Sequence, residues 1–288
     1  MNPIFLKVGS FELHYYGLMY ALAFISGTYL AKKMARENNF SEKIIEDYSF
    51  IAILSGLIGG RLYYVLFNLD YYLAYPKEIP AVWHGGMAIH GGIIGGIIGT
   101  FIYGKIKKIN PFLLGDYAAA PFILGQAIGR VGNLMNGEIH GVPTFTPLSI
   151  IFSLKPKFNE WFSYYSSLSF FEKANFKDVV PWGIVFPLSS PAGQEFPNLA
   201  LHPAMIYELI LNLIGFIIIW FVLKKKKNKS TGFLWWNYVI IYSLNRIIVS
   251  FFRAEDLMIG GIRAPHLVSF VMIIISVISL YLGKINKK

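Results

Sequence analysis

Residues 111–134 read PFLLGDYAAAPFILGQAIGRVGNL. Two of these 24 residues are charged, Asp116 near the start and Arg130 near the end. A bilayer core takes about 20 mostly apolar residues per helix, so the stretch reads as a transmembrane helix. Six further stretches read alike, approximately 13–31, 48–67, 87–103, 204–223, 232–252 and 264–282, the third of them short. The whole chain agrees: 55% of its 288 residues are hydrophobic and only 15% charged, against about 25% in soluble domains. Mean hydropathy is +0.51. This composition excludes a disordered chain or a collagen-like fibre. The absence of cysteine excludes a disulfide scaffold and a thiolate-ligated metal site. The formal charge of +10 argues for no nucleic-acid partner, because nucleic-acid-binding domains are basic and soluble whereas this chain is basic and oily. The expected fold is an all-α polytopic membrane protein with seven transmembrane helices.

Seven spans put the termini on opposite sides of the membrane. One set of loops holds 15 Lys and Arg, including Lys32, Lys33 and the lysine run at 224–227; the other set holds 8. Basic loops face the cytoplasm, so the N-terminus is expected outside and the C-terminus inside. The lysine run is most simply a topology signal that also meets lipid headgroups. The first span does not read as a cleaved signal peptide, since its charges follow the apolar run and no small-residue cleavage site lies near its end. One long stretch, 135–201, does not span. Rich in Phe, Tyr, Ser and Pro, it reads as a small outer-face lobe inserted between the fourth and fifth spans of a single membrane domain over 1–288.

Ionisable groups inside spans are costly and therefore functional candidates. In the expected orientation Arg61, Arg130 and Arg246 sit late in spans running outward, while Tyr16, His90, Tyr207 and Glu208 sit early in spans running inward. All of them fall in the outer half. Lysine outnumbers arginine 20 to 6, yet the three basic residues inside spans are all arginine. Arginine stays charged when buried and grips phosphate in a planar fork. Arg246 and Arg253 are seven apart and share a helix face. The plainer reading is that these arginines snorkel to the interface or pair with Glu138, Glu208 or Glu255. Four arginines without a matching set of buried acids favour a phosphate-bearing lipid instead. Glycines every fourth residue (Gly56 and Gly60; Gly91, Gly95 and Gly99) read as close helix packing. The doublets Gly85-Gly86 and Gly91-Gly92 around His90 read as backbone that bends at the membrane surface. No paired histidine motif for a metal and no Gly-x-Ser-x-Gly elbow occurs.

Five stretches resemble the bacterial prolipoprotein diacylglyceryl transferase family: HYYGLMY at 14–20, GGRLYY at 59–64, HGGMAIHGG at 84–92, GRVGNLMNGEIHG at 129–141, and HPAMIYE at 202–208 together with RIIVSFFR at 246–253. Order and spacing match along nearly the whole chain, and Gly-Arg-x-Gly-Asn-x-x-Asn-Gly-Glu is the family's signature. The resemblance implies transfer of the diacylglyceryl group of phosphatidylglycerol to the lipobox cysteine thiol of a prolipoprotein. A thioether forms and glycerol phosphate leaves. It marks Tyr16, His90, Arg130, Asn133, Glu138, Arg246 and Arg253 as functionally important. The chain departs from the pattern at Ser250, where the family commonly has an acid; the acid is then dispensable or replaced by a neighbour such as Glu255. It departs again at Leu201-His-Pro-Ala-Met, where the family usually reads Arg-His-Pro-Ser-Gln.

The chemistry expected at these residues is direct. A thiol with a pKa near 8.5 attacks well only once deprotonated, and His90 is the candidate base. Arg130 and Arg246 would bind the phosphate and stabilise charge growing on the leaving group. Tyr16, Asn133, Glu138, Arg253, Arg61 and Glu208 would contact or orient the substrates. Neither a metal nor a cofactor is required, because the leaving group is already a phosphate ester anion. The expected setting is the bacterial cytoplasmic (inner) membrane. Rival readings are another lipid-modifying transferase and a transporter or flippase of anionic lipid, although no inverted repeat is visible and the cytoplasmic half is nearly bare of polar groups.

Overall fold

The computed structural model describes all residues except 2, 10, 155–156, 228, 255–256 and 286–288. Glu255 therefore lies outside the described residues. The chain is mostly helical, 69% of residues. A hairpin of β1 (Ile4–Val8) and β2 (Phe11–His14) leads into α1 (Tyr15–Glu37) and α2 (Glu42–Leu66). A short α3 (Leu69–Ala74) and a loop precede α4 (Ile89–Lys107) and α5 (Pro111–Asn136). There follow α6 (Leu148–Ile151), α7 (Phe158–Ser167), α8 (Phe170–Lys173), β3 (Ile184–Val185), α9 (Pro191–Glu195) and β4 (Ala200–Leu201). Helix α10 (Ala204–Ile217) continues through a π turn and a 3-10 turn to Lys225. Helix α11 (Phe233–Phe252), the hairpin of β5 (Met258–Ile259) and β6 (Ile262–Arg263), and α12 (Ala264–Ile285) complete the chain.

Five helices among the described residues are long and apolar enough to cross a membrane: α2, α4, α5, α10 with its extension, and α12. The other two apolar stretches also form helices, α1 and α11, of 23 and 20 residues. Helix ends differ from those read off hydropathy because capping and pairing set them. Helix α2 begins at Glu42, not near 48, because the Ser41 hydroxyl accepts from the Ile44 amide at 3.4 Å. Helix α1 begins at Tyr15, because residues 11–14 are paired as a strand.

The chain divides into two compact units, residues 28–118 and residues 1–27 with 119–288. In the first, α2 and α4 pack backbone to backbone through the repeated glycines. A β-carbon on Gly59 would lie 2.8 Å from Gly95 Cα, and one on Gly91 would meet both Gly59 and the Tyr63 side chain. Small residues allow this approach, which maximises dispersion contacts where lipid supplies no hydrophobic drive. The Tyr103 hydroxyl donates to Ile44 O at 2.9 Å at the far end of the same pair.

In the second unit, α10 and α11 are joined by a buried hydrogen bond from Asn245 Nδ2 to Asn212 Oδ1, 3.1 Å. Residues 137–201 carry an apolar cluster of their own: Val142, Ile151, Phe158, Phe186, Phe196 and Leu201 are buried together, with Met205 of α10 among them. The ring contacts Phe158–Phe162 and Phe162–Phe196, at 5.4 and 5.2 Å, tie α7 to the segment after α9. The segment's content of Phe, Tyr and Pro builds a small core from short helices and two-residue strands rather than from periodic elements.

Candidate active site

The last turns of α5 carry the signature. Arg130 and Asn133 are three apart and lie on one helix face. Arg130 Nη1 donates to Asn133 Oδ1 at 2.9 Å, and Asn133 Nδ2 donates to the Tyr16 hydroxyl at the start of α1. That hydroxyl donates in turn to Glu138 Oε2 at 2.5 Å, while Asn136 Nδ2 reaches Glu138 Oε1 at 3.3 Å. Gly132 makes room: a β-carbon there would sit 2.9 Å from the Tyr16 ring. On the other side Arg130 Nη2 is ion-paired with Glu208 of α10. The Glu208 side chain is 1% exposed and that of Arg130 19%. The network is thus a chain of Glu208, Arg130, Asn133, Tyr16 and Glu138, built from three helices and the loop after α5.

Two atoms of this chain are buried without a hydrogen-bond partner among the described residues, Arg130 Nε and Glu208 Oε2. A guanidinium has five N–H donors, and Glu208 and Asn133 occupy two of them. Arg130 is therefore held from two sides with three donors left. A buried ion pair costs desolvation that its attraction barely returns, so it is weak evidence for stability and better read as a device that aims a charge. Tyr242 of α11 lies within electrostatic reach of Glu208, Arg130, Arg246 and Arg253, which brings all three arginines around one tyrosine. Arg253, just past α11, forms an isolated backbone bridge with Gly141, three residues beyond the signature. Ser250, between Arg246 and Arg253, is fully buried.

Arg61 and His90 belong to the other unit. Arg61 is 5% exposed and donates to four backbone carbonyl oxygens: Nε to Ile79 at 2.8 Å, Nη1 to Gly85 at 2.5 Å and Gly86 at 2.8 Å, and Nη2 to Glu78 at 2.5 Å. Its guanidinium also lies over the Tyr72 ring, 5.1 Å from the centroid. This bonding differs from that expected of a phosphate ligand, since four of five donors serve the loop at 75–88. The glycine doublet is part of the clasp: Gly85 and Gly86 have φ of +84° and +75°, which L side chains rarely adopt. His90 is exposed in the first turn of α4, its ring 6.2 Å from that of Tyr63. His84 Nδ1 lies 2.6 Å from Glu78 Oε2 in the same loop.

Glu208 meets Arg130 directly, as the plainer reading of the arginines allowed. Hydropathy and spacing gave no hint of a second polar pair beside the signature, His140 and Glu195, with Nε2 and Oε2 2.9 Å apart. No sequence spacing could have found it, because the loop between them folds back through the apolar cluster.

A helical chain with five membrane-length apolar helices and a half-buried network centred on arginine belongs to the integral membrane proteins. The profile of the family described as prolipoprotein diacylglyceryl transferase matches residues 3–282. A phosphatidylglycerol–prolipoprotein diacylglyceryl transferase of Fusobacterium nucleatum subsp. nucleatum is 69% identical over 100% of this chain and 99% of its own. Proteins of the same name from Staphylococcus epidermidis and Staphylococcus aureus are 34% and 33% identical, each over 96% of this chain and 88% and 87% of their own. The chain belongs to the prolipoprotein diacylglyceryl transferase family.

Proposed function

We propose that the chain transfers the diacylglyceryl group of phosphatidylglycerol to the thiol of a prolipoprotein's lipobox cysteine. The sulfur forms a bond to the glyceryl carbon as that carbon's bond to the phosphate oxygen breaks. Glycerol phosphate leaves with the bonding pair, and the thiol proton passes to a base. Family membership over the full chain supports this reading, and one observation carries it in the structure. A half-buried arginine, Arg130, is aimed by Glu208 and Asn133 with unused donors, its Nε among them, as a site for a phosphate that gains charge requires. Arg246 and Arg253 add positive charge near the same tyrosine. Tyr16, Asn133 and Glu138 form the chain of hydrogen bonds that orients Arg130. Glu208 and Arg61 act as positioning residues, the first on Arg130, the second on the loop ahead of His90. His90 takes the thiol proton, by its chemistry and by the family resemblance.

In this reading seven helices, α1, α2, α4, α5, α10, α11 and α12, cross the bacterial cytoplasmic membrane as one domain. The N-terminus is outside, the C-terminus inside and residues 135–201 form an outer-face lobe. The lysine distribution supports it, and the cysteine-free chain makes it testable. Single cysteines placed at Lys173 and at Lys226 of the intact protein should react with a membrane-impermeant maleimide from outside and from inside respectively; the reverse pattern overturns the orientation. The reaction is tested with acyl-labelled phosphatidylglycerol and a lipobox peptide. Label should appear on the peptide and vanish when its cysteine becomes serine. Label on the serine peptide, or lipid translocation without transfer, overturns the reading.

A further inference from the structure

The corner between α4 and α5 holds an open groove of about 560 Å³, lined by apolar Phe101, Ile102, Ile109 and Pro111 and by polar Lys105, Lys108 and Asn110. We propose that it binds one anionic phospholipid, with an acyl chain along the apolar side chains and the phosphate on the two lysines. The proposal is independent of the transfer reading. In the orientation given above the lipid belongs to the cytoplasmic leaflet. Lys105 is 15 residues along α4 from His90, about 22 Å at the helical rise, so this is not the site of transfer.

The groove is built by the fold. The Ile109 amide donates to Gly104 O at 2.8 Å and Lys108 has φ +55°, so the chain turns back on α4 within one turn. Gly104 permits this, because a β-carbon there would lie 2.7 Å from Ile109 O and 3.1 Å from Pro111 Cγ. The Phe101 ring meets the Phe112 ring edge-on at 6.1 Å, which fixes the apolar wall. Phe101 and Ile102 precede Lys105 by four and three residues, so the first ammonium rises from the same helix face as the wall. A volume of this size suits a ligand with a bulky apolar part.

Charge chooses the occupant. At this end of α2 and α4 the acids Glu42, Glu46 and Asp47 are already ion-paired with Arg36, Lys32 and Lys43, at 2.7, 3.1 and 3.0 Å. Lys107 stands 5.9 Å from the centroid of the Tyr103 ring. Lys105 and Lys108 are exposed and have no ion pair among the described residues. No carboxylate lines the groove. Asn110 Oδ1 accepts from the Phe112 amide at 2.9 Å, which leaves its Nδ2 to donate. The groove thus sets positive charge and hydrogen-bond donors beside an apolar wall. A zwitterionic lipid would bring its own cation towards the lysines, and a free phosphate would gain nothing from the wall. An anionic phospholipid satisfies both parts.

The cysteine-free chain accepts a single reporter. Ile106 is 70% exposed and adjoins Lys105 without lining the groove. Intact protein carrying Ile106→Cys, labelled with bimane, is reconstituted in phosphatidylcholine vesicles with rising fractions of dibrominated phosphatidic acid or dibrominated phosphatidylcholine. Bromine quenches the label only at close range. Phosphatidic acid should quench saturably at a mole fraction about 10–30-fold lower than phosphatidylcholine, the scale for two lysines at an anionic headgroup. Lys105→Gln combined with Lys108→Gln should reduce the preference to within about threefold, whereas Lys107→Gln should keep it. Inorganic phosphate should relieve the quenching no more than chloride of equal ionic strength. Equal quenching by the two lipids, a preference that survives the double substitution, an equal fall in Lys107→Gln, or relief by phosphate beyond that of chloride overturns the proposal.

Discussion

Arg61 sits at the centre of a loop that it stitches through four carbonyl oxygens, and the consequences of loosening it can be worked out. A hydrogen bond from a charged donor contributes about 1.5–3 kcal/mol net. Methionine at position 61 removes all four; lysine, with one compact ammonium, recovers at most two. The loss of two such bonds lowers the free energy of opening the loop by about 3 kcal/mol, or about 100-fold in the open population. Lys77 provides the reporter, because its peptide bond to Glu78 lies inside the clasped loop and both Glu78 O and Ile79 O are held by Arg61. In the fast-reclosing regime, cleavage by trypsin follows the open population. Trypsin should therefore cut after Lys77 about 100-fold faster in Arg61→Lys and faster still in Arg61→Met. The rate is read by mass spectrometry of the detergent-solubilised protein, with cleavage at Lys43 as internal control. Transfer activity should fall through kcat, because the loop precedes His90. Unchanged cleavage in Arg61→Met, combined with a raised KM for phosphatidylglycerol, would refute the clasp and make Arg61 a lipid ligand.

Other outcomes follow from the same geometry. Arg130→Ala should lower turnover by about 10²–10³-fold in the peptide-transfer assay, the scale for losing one transition-state donor; near-normal turnover removes Arg130 from the phosphate site. Gly95→Ala should destabilise by about 1–3 kcal/mol in thermal unfolding, because its β-carbon would press on Ser55 O, whereas Gly96→Ala, with its nearest neighbour at 3.8 Å, should be neutral. Equal effects of the two would disprove backbone-to-backbone packing of α2 and α4. Burial pushes His202 down to about 4 from the usual 6.5, partly opposed by Asp178. The unfolded chain then binds a proton near pH 6.5 and the folded one only near pH 4. Stability present above pH 6.5 should drop by about 3 kcal/mol as pH falls through that window. In His202→Asn the fall across this window should be shallower, measured by chemical unfolding at each pH.

The positions of the membrane-length helices were legible because hydropathy is a local, additive property of the chain, and a run such as 264–282 needs no partner to declare itself. The glycine repeats of α2 and α4 were legible for a related reason, since a period of four fixes one helix face. Within the signature, spacing alone put Arg130 and Asn133 on one face, and the order Asn133, Asn136, Glu138 kept their polar groups within one turn and its loop. The helix starts were less legible. Ser41 and the β1–β2 pairing set them, and apolar content carries no record of either.

Partners distant along the chain were decided only by the fold. That Glu208 aims Arg130, that Tyr16 links Asn133 to Glu138, and that Glu195 meets His140 are facts of three-dimensional proximity. Arg61 makes the point most sharply. By hydropathy and depth it is one more arginine late in an apolar stretch, as Arg130 is. In the structure its donors end on main-chain carbonyls, a group every residue carries and no sequence pattern can mark. Sequence by itself therefore determined which charges are buried in lipid-length helices and what chemistry they offer. Tertiary structure decided how each charge is used, because a hydrogen bond is assigned by direction and distance in space rather than by position along the chain.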